Sequence, residues 1–159
     1  MSSWKKESFI ADRFTQGVIA GVVGWFPQFI FMYLMHWAHW SKFRYVDFAA
    51  LITYNHRPQG IVQMLFSELI VILVASVLGA VFAMLIKAIH SPALLFKGSL
   101  YGAISWFLIY VAFALFKVEG IYGKPDFLTV FLNLAGVFIW GLSMSWALQI
   151  INRRFGVEN

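Results

Sequence analysis

Four polar side chains in the sequence are set within long apolar segments, one in each segment: Gln28, Glu68, Tyr110 and Asn133. Counting the helical rise per residue places them at a similar depth, so they are expected to form one layer. Glu68 is the only acidic residue well inside such a segment, and an ionisable group there usually faces protein or water rather than lipid. Two interpretations stay open. The layer is either an interhelical hydrogen-bond clamp or a site that handles protons or cations through Glu68.

Histidines are the only other candidates for specific chemistry. His36 and His39 stand three residues apart, and His56 follows in the same connecting region. A zinc site usually needs three or four ligands, which these residues would complete only with Asp47 through an unknown loop fold, so we predict no metal site. The histidines do not lie deep in two facing segments as a haem would require, and the chain has no cysteine. We predict no cofactor and, because no catalytic set is present, no enzyme.

The elements that hold these residues are predicted from hydropathy. Hydrophobic residues make up 61% of the chain and the mean hydropathy is +0.77, values too apolar for a short water-soluble domain. The sequence predicts an all-α polytopic protein with a single membrane domain over residues 1–159. Four transmembrane helices are expected, each about 20 residues long or more. Their predicted bounds are Phe14–Met35, Gly60–Ile86, Gly98–Phe116 and Phe127–Ile151.

The connection between the first two spans is too long for a tight turn. Tyr45–Tyr54 within it places Val46, Ala49, Ala50 and Thr53 near one another at helical spacing. We predict a short helix along the membrane interface here, with an irregular loop as the alternative.

The distribution of basic residues predicts the orientation. One side of the four spans holds seven Lys or Arg residues and the other side holds five. Because the cytoplasmic side is usually the richer one, both termini are predicted to lie in the cytoplasm, with the protein in a bacterial cytoplasmic membrane. The seven are Lys5, Lys6, Arg13, Lys87, Lys97, Arg153 and Arg154, and the five are Lys42, Arg44, Arg57, Lys117 and Lys124.

The first and third spans share a pattern of small residues followed by Trp-Phe. Gly17, Gly21 and Gly24 match Gly98, Gly102 and Ser105 at an offset of 81 residues. Such small-residue faces let helix backbones approach closely in lipid, so we predict that these six residues pack helices. The repeat also predicts two tandem two-helix units related by a pseudo-twofold axis along the membrane normal, with the first and third spans close to that axis.

Several short segments carry a resemblance to a known family. They are Arg44-Tyr45-Val46-Asp47-Phe48-Ala49, His56-Arg57-Pro58, Phe116-Lys117-Val118 and Trp140-Gly141. In these segments the chain resembles the YqhR-like small membrane proteins of spore-forming Gram-positive bacteria. The resemblance implies a four-span membrane protein and assigns no role to any residue.

Taken together, these features favour a non-enzymatic membrane subunit, scaffold or anchor that acts through helix and outer-loop contacts. The expected partners are the lipid bilayer and either further copies of the chain or another membrane protein. Nucleic acid is not expected, because the basic residues stand at the ends of apolar segments. The alternative is a small oligomeric transporter or channel whose path is lined by the Glu68 layer.

Overall fold

A computed structural model describes residues 12–86, 93–116 and 126–155 of the chain. These residues form five helices, and they include no β-strand: α1 (Arg13–Trp37), α2 (Tyr45–Tyr54), α3 (Ile61–Leu85), α4 (Leu94–Leu115) and α5 (Phe127–Phe155). Four of the helices, α1, α3, α4 and α5, are long and apolar enough to cross a membrane. The prediction of an all-α polytopic protein is therefore confirmed, although the third span begins at Leu94 rather than at Gly98. The predicted roles of Lys5, Lys6, Lys87, Lys117 and Lys124 fall outside the described residues.

Local sequence explains where α1, α2 and α3 begin or end. Asp12 caps α1, because its carboxylate accepts a hydrogen bond of 3.1 Å from the Thr15 backbone N–H. Asn55 ends α2 in the left-handed conformation with φ 58°, which asparagine tolerates better than most residues. Gly60 precedes α3 with φ 87°, a backbone angle that strongly favours glycine.

The four long helices are arranged with α1 between α3 and α5, and α4 on the other side of α5. The short α2 packs mainly on α3. Since α1 ends and α3 begins beside α2, the bundle has an α2 end and, at the opposite side, a far end where α3 ends and α4 begins.

Close backbone contact holds the first span to the second (α1 to α3) and the third span to the fourth (α4 to α5). A Cβ atom on Gly17 would lie 2.6 Å from the Ala80 Cα atom, and one on Gly79 would lie 2.7 Å from the Gly21 Cα atom, so α1 and α3 touch through their backbones. In the same way, a Cβ atom on Gly141 of α5 would lie 2.8 Å from the Gly98 carbonyl carbon of α4. Small residues at these crossings are what allow such an approach.

The other predicted packing residues also lie at helix contacts. Gly24 faces α5, where a Cβ atom would lie 2.9 Å from the Met144 backbone nitrogen. Gly102 faces Val137 of α5, and Ser105 is buried. All six small residues of the repeated pattern are therefore turned toward neighbouring helices rather than toward lipid.

The expectation that the first and third spans pack together near a common axis is wrong. The glycines of α1 contact α3 and α5, and those of α4 contact α5, so α1 and α4 do not form one of the main helix contacts. A small-residue face requires some close neighbour but does not determine which helix it is, and here α5 lies between the two. The internal repeat itself stays a prediction.

Apolar side chains fill the bundle toward its far end. The central cluster includes Phe82, Leu94, Trp140, Met144 and Leu148, of which Leu94, Met144 and Leu148 are fully buried. Large apolar side chains also cover the outside of the four long helices, as lipid-facing surfaces require. The chain is thus an integral membrane protein whose interior is mainly apolar toward the far end.

Candidate functional site

Glu68 on α3 binds two side chains of α1. Its carboxylate accepts a hydrogen bond of 2.9 Å from the Trp25 indole N–H at one oxygen and one of 3.3 Å from the Tyr33 hydroxyl at the other. The rings of Trp25, Phe29 and Tyr33 follow one another along α1, with centroid separations of 5.0 and 4.3 Å. Both carboxylate oxygens therefore have a partner, and together they join α1 to α3.

An ion pair extends this network into the segment before α2. The Arg44 guanidinium lies over the Tyr33 ring at 4.9 Å from its centroid, and it binds the Asp47 carboxylate at 3.0 Å. The Asp47 side chain is only 3% exposed and also accepts a hydrogen bond of 2.7 Å from the Arg44 backbone N–H, which starts α2. Although burial lowers the pKa of Arg44, its hydrogen bond to Asp47 and the charge of Asp47 raise it overall, so the guanidinium stays charged.

Tyr45 connects α2 to α5. Its hydroxyl donates a hydrogen bond to the backbone carbonyl of Asn133. Burial raises the pKa of this phenol, while hydrogen bonding by the Gln28 side chain and the Val137 backbone opposes the rise. The Asn133 side-chain oxygen is buried and has no hydrogen-bond partner among the described residues.

Three of the four residues of the predicted layer line one or both of two spaces in the bundle, whereas Asn133 lines neither. Gln28 and Glu68 line a void of about 10 Å³ beside Trp25, Tyr33 and Arg44, which is about the space that one water molecule needs. Tyr110 lines a much larger cleft on the other side of α3, where only Gln28 of the other three also contributes. Glu68 is therefore bound to Trp25 and Tyr33 rather than to Gln28, Tyr110 or Asn133.

The larger cleft lies between α3 and α4 and has a volume of about 250 Å³. Its walls include Val71 and Val74 of α3 and Trp106 and Ile109 of α4, and they are almost entirely apolar. Toward the far end the two helices meet, because the Tyr101 hydroxyl donates a hydrogen bond of 2.9 Å to the Leu78 carbonyl. At the α2 end the cleft is bounded by Phe48 and Phe113, whose ring centroids are 5.6 Å apart. The cleft thus opens sideways between two lipid-facing helices.

Sequence reasoning missed the aromatic and basic partners of Glu68. A signal was present, since Trp25, Phe29 and Tyr33 recur every four residues and must share one face of α1. The sequence did not show that this face meets Glu68, nor that Arg44 folds back over Tyr33. Those contacts depend on how the helices pack.

The histidines do not assemble into a metal site within the described residues. No group of three or more His, Asp or Glu side chains there is arranged to hold a metal ion. The His36 ring nitrogen Nδ1 instead lies 2.9 Å from the Ser41 carbonyl oxygen, and His56 Nδ1 lies 2.7 Å from the Arg57 carbonyl oxygen. His39 is exposed at the end of α1 with φ 61°.

The short α2 forms over the predicted range Tyr45–Tyr54. Val46, Ala49 and Ala50 are buried as one face, whereas Thr53 is exposed and bonds the Ala49 carbonyl at 2.9 Å. Thr53 thus follows Ala49 at the expected helical spacing, but it lies at the exposed end of that face. The helix is therefore fixed to the bundle through its small residues.

The resemblance to YqhR-like membrane proteins stays a prediction from the sequence. Comparison of the chain with protein-family models, with curated proteins and with solved structures finds no match.

Proposed function

We propose that this protein is a non-enzymatic membrane subunit or scaffold that acts through contacts of its helices and of its α2 end. The observation that supports the proposal most directly is the hydrogen bonding of Glu68. Both of its carboxylate oxygens accept hydrogen bonds from α1, beside a void of about 10 Å³. A carboxylate held in this way fits a clamp between helices better than a site that takes up and releases a substrate.

The attachment of α2 supports a scaffolding role. Tyr45 bonds α5, Arg44 stacks on Tyr33 of α1, and Phe48 packs on Phe113 of α4. With its packing on α3, the short helix is tied to all four spans. A surface fixed at so many points is preorganised, and preorganisation lowers the entropic cost of binding a partner.

Exposed aromatic and aliphatic side chains at the α2 end form a candidate binding surface for a partner. Trp40 is 57% exposed and Ile52 is 64% exposed. Interface cores are enriched in aromatic residues, and these side chains stand on the rigid part of the molecule. We place the contact with a second copy or with another membrane protein on this surface.

A transporter is the competing function, because Glu68 lies deep in a span. Transport would need a polar path continuing from Glu68 toward the far end. The described residues there are mainly the apolar cluster around Phe82, Met144 and Leu148. Gln16 and Ser145 are buried polar side chains among them, and Ser145 donates its hydrogen bond to the Gly141 carbonyl of its own helix. The packing of the bundle therefore favours the scaffold over the transporter.

Purified protein in liposomes tests the choice between them. We expect proton and monovalent-cation flux no greater than in empty liposomes, both for the wild-type protein and for Glu68→Gln. Flux that exceeds this background and is lost in Glu68→Gln would show that the transporter interpretation is right and the scaffold wrong.

Site-specific crosslinking tests the contact surface, and the absence of cysteine makes single-cysteine variants clean probes. Ile52→Cys is placed at the α2 end, and Val77→Cys, 60% exposed on α3, is the matched control. We expect a short crosslinker in membranes to give one adduct of defined mass with Ile52→Cys and none with Val77→Cys. The adduct mass separates a second copy from another protein, and equal labelling at both positions contradicts the proposal.

We further place the protein in a bacterial cytoplasmic membrane with both termini in the cytoplasm, following the distribution of Lys and Arg. His39→Cys, exposed just beyond the end of α1, should then react with a membrane-impermeant maleimide in intact cells. Arg154→Cys, near the end of α5, should react only after the cells are opened. The reverse pattern contradicts the orientation.

A further inference from the structure

The cleft between α3 and α4 has the size of a single hydrocarbon chain. An apolar cavity of about 150 Å³ is known to hold one benzene, whereas a helix with its side chains is about 10 Å across. A cleft of about 250 Å³ is therefore too small for a partner helix and large enough for a stretch of acyl chain. Its almost wholly apolar walls suit the same occupant.

An unpaired cation lies near the α2 end of this cleft. The Arg57 guanidinium is stacked 4.2 Å from the Phe43 ring centroid. The ring centroids of Phe43 and Phe48 are 5.9 Å apart, and Phe48 lines the cleft. Arg57 is exposed and, among the described residues, has no carboxylate within ion-pair distance. By contrast, Lys42 pairs with Asp126 at 3.6 Å and Arg44 with Asp47 at 3.0 Å. Of the three described cations at this end, Arg57 is the one left to bind an outside anion.

Tyr110 adds a polar group at intermediate depth. Its ring lines the cleft in the half nearer the α2 end, and its hydroxyl is buried with no hydrogen-bond partner among the described residues. From the membrane centre outward, the order is apolar walls, a hydroxyl and then a guanidinium. A phospholipid presents its groups in the same order: an acyl chain, an ester carbonyl and a phosphate.

We propose that this cleft binds one anionic phospholipid, with an acyl chain between α3 and α4 and the headgroup phosphate at Arg57. The charge of Arg57 selects an anionic headgroup, because one basic residue near a membrane surface contributes about 1 kcal/mol of attraction to anionic lipid. The bound chain fills the space that the divergence of α3 and α4 leaves open. The site is separate from the Glu68 network and does not depend on the proposed scaffold function.

Native mass spectrometry of the detergent-solubilised protein, titrated with phosphatidylglycerol and phosphatidylcholine, tests the headgroup. We expect one retained lipid per chain, with phosphatidylglycerol preferred. Arg57→Gln should lower that preference about fivefold, the equivalent of about 1 kcal/mol. Lys42→Gln removes the same charge from a residue that Asp126 already neutralises, so it should leave the preference unchanged. An equal loss in both variants, or no preference in the wild type, overturns the assignment of the headgroup to Arg57.

Substitutions that fill the cleft test the acyl chain. Val74→Trp and Ile109→Trp enlarge side chains on its opposite walls, each more than 40% exposed, so neither disturbs a buried helix contact. Both should abolish retention of either lipid. Val77→Trp makes the same change on α3 outside the cleft and should retain the lipid as the wild type does. Retention that survives both cleft substitutions, or a polypeptide rather than a lipid crosslinked at Val74→Cys, overturns the proposal.

Discussion

The interfaces that α3 forms with α1 and with α4 differ in almost every respect. Toward α1, α3 presents Gly79 and Ala80, and the two backbones are in contact. Toward α4 it presents branched side chains such as Val71 and Val74 against Trp106, and the helices diverge around a cleft of about 250 Å³. One helix thus makes a closed contact on one side and an open one on the other.

Side-chain size explains the difference. In lipid there is no hydrophobic drive to bring helices together, so close packing and hydrogen bonds decide which pairs associate. The interface of α1 and α3 has both, through its glycines and through Glu68. The interface of α3 and α4 has bulky walls, and the hydrogen bond of Tyr101 to Leu78 joins the two helices. On α3, the small residues therefore face the closed interface, and the large branched ones face the interface that leaves a cleft.

Disrupting the closed interface of α1 and α3 should lower the stability of the protein more than any other change. Gly79→Leu would push a side chain into the Gly21 backbone, where even a Cβ atom lies 2.7 Å from the Gly21 Cα atom. Because backbone atoms cannot move aside as side chains do, we expect destabilisation of at least about 3 kcal/mol, the upper part of the overpacking range. Unfolding in a denaturing detergent, followed by circular dichroism, measures it.

Val77→Leu is the matched control, since Val77 is 60% exposed on the same helix. It should change stability little. If Gly79→Leu were as stable as Val77→Leu, the backbone contact would not be what closes the interface of α1 and α3.

The second largest loss of stability should follow from weakening the attachment of α2, which lies next to the closed interface of α1 and α3. Asp47→Ala leaves the Arg44 guanidinium, 17% exposed, without its carboxylate and removes the hydrogen bond that starts α2. Removing one partner of a buried ion pair costs about 3 kcal/mol or more. The same unfolding measurement should show a loss of this order, and Asp126→Ala, at an exposed pair, should show far less. Equal losses would mean that α2 is not held by Arg44.

These contacts also show what the sequence could predict. Helix number and the bounds of α2 follow from hydropathy and from local residues such as Asn55 and Gly60, which act within a few positions of the chain. The partners of Glu68 do not, because Trp25 and Tyr33 reach it only when α1 takes one particular rotation against α3. The cleft was not predicted either, since an open interface is defined by the distance between helices.

Removing one hydrogen bond at each interface should show a further difference between the closed and the open interface. Trp25→Phe removes one donor to Glu68 at the closed interface, and Tyr101→Phe removes the bond to Leu78 at the open one while keeping its ring beside Phe82. Each should cost about 1 kcal/mol, as interhelical bonds in membranes do. The distance between the paired helices should change only at the open interface, because only the closed interface also has glycine contacts to hold it.

Spin labels at Val77→Cys and Ile104→Cys, both exposed, report the separation of α3 and α4. We expect a wider or broader distance distribution in Tyr101→Phe and an unchanged one in Trp25→Phe. An unchanged distribution in both variants would show that Tyr101 does not limit the divergence of the two helices.

The smallest effect should come from acid at the α2 end. Asp126 directly precedes α5, where it accepts a hydrogen bond of 2.8 Å from the Thr129 hydroxyl and faces Lys42 at 3.6 Å. The hydrogen bond, and then the charge of Lys42, lower the pKa of Asp126 below its ordinary value. A carboxyl whose pKa falls on folding stabilises the fold at any pH above its unfolded pKa. That stabilisation is lost as the pH falls through the pKa that the carboxyl has in the folded protein.

The wild type should thus be slightly more stable than Asp126→Asn at pH 7, and the difference in stability should disappear toward about pH 3, below the ordinary aspartate pKa. Comparing the two proteins at each pH cancels the titration of other carboxyls. A difference that grows on acidification would mean that Asp126 is not held by Thr129 and Lys42, and that the start of α5 is fixed by packing alone, as α3 is fixed to α1 by its glycines.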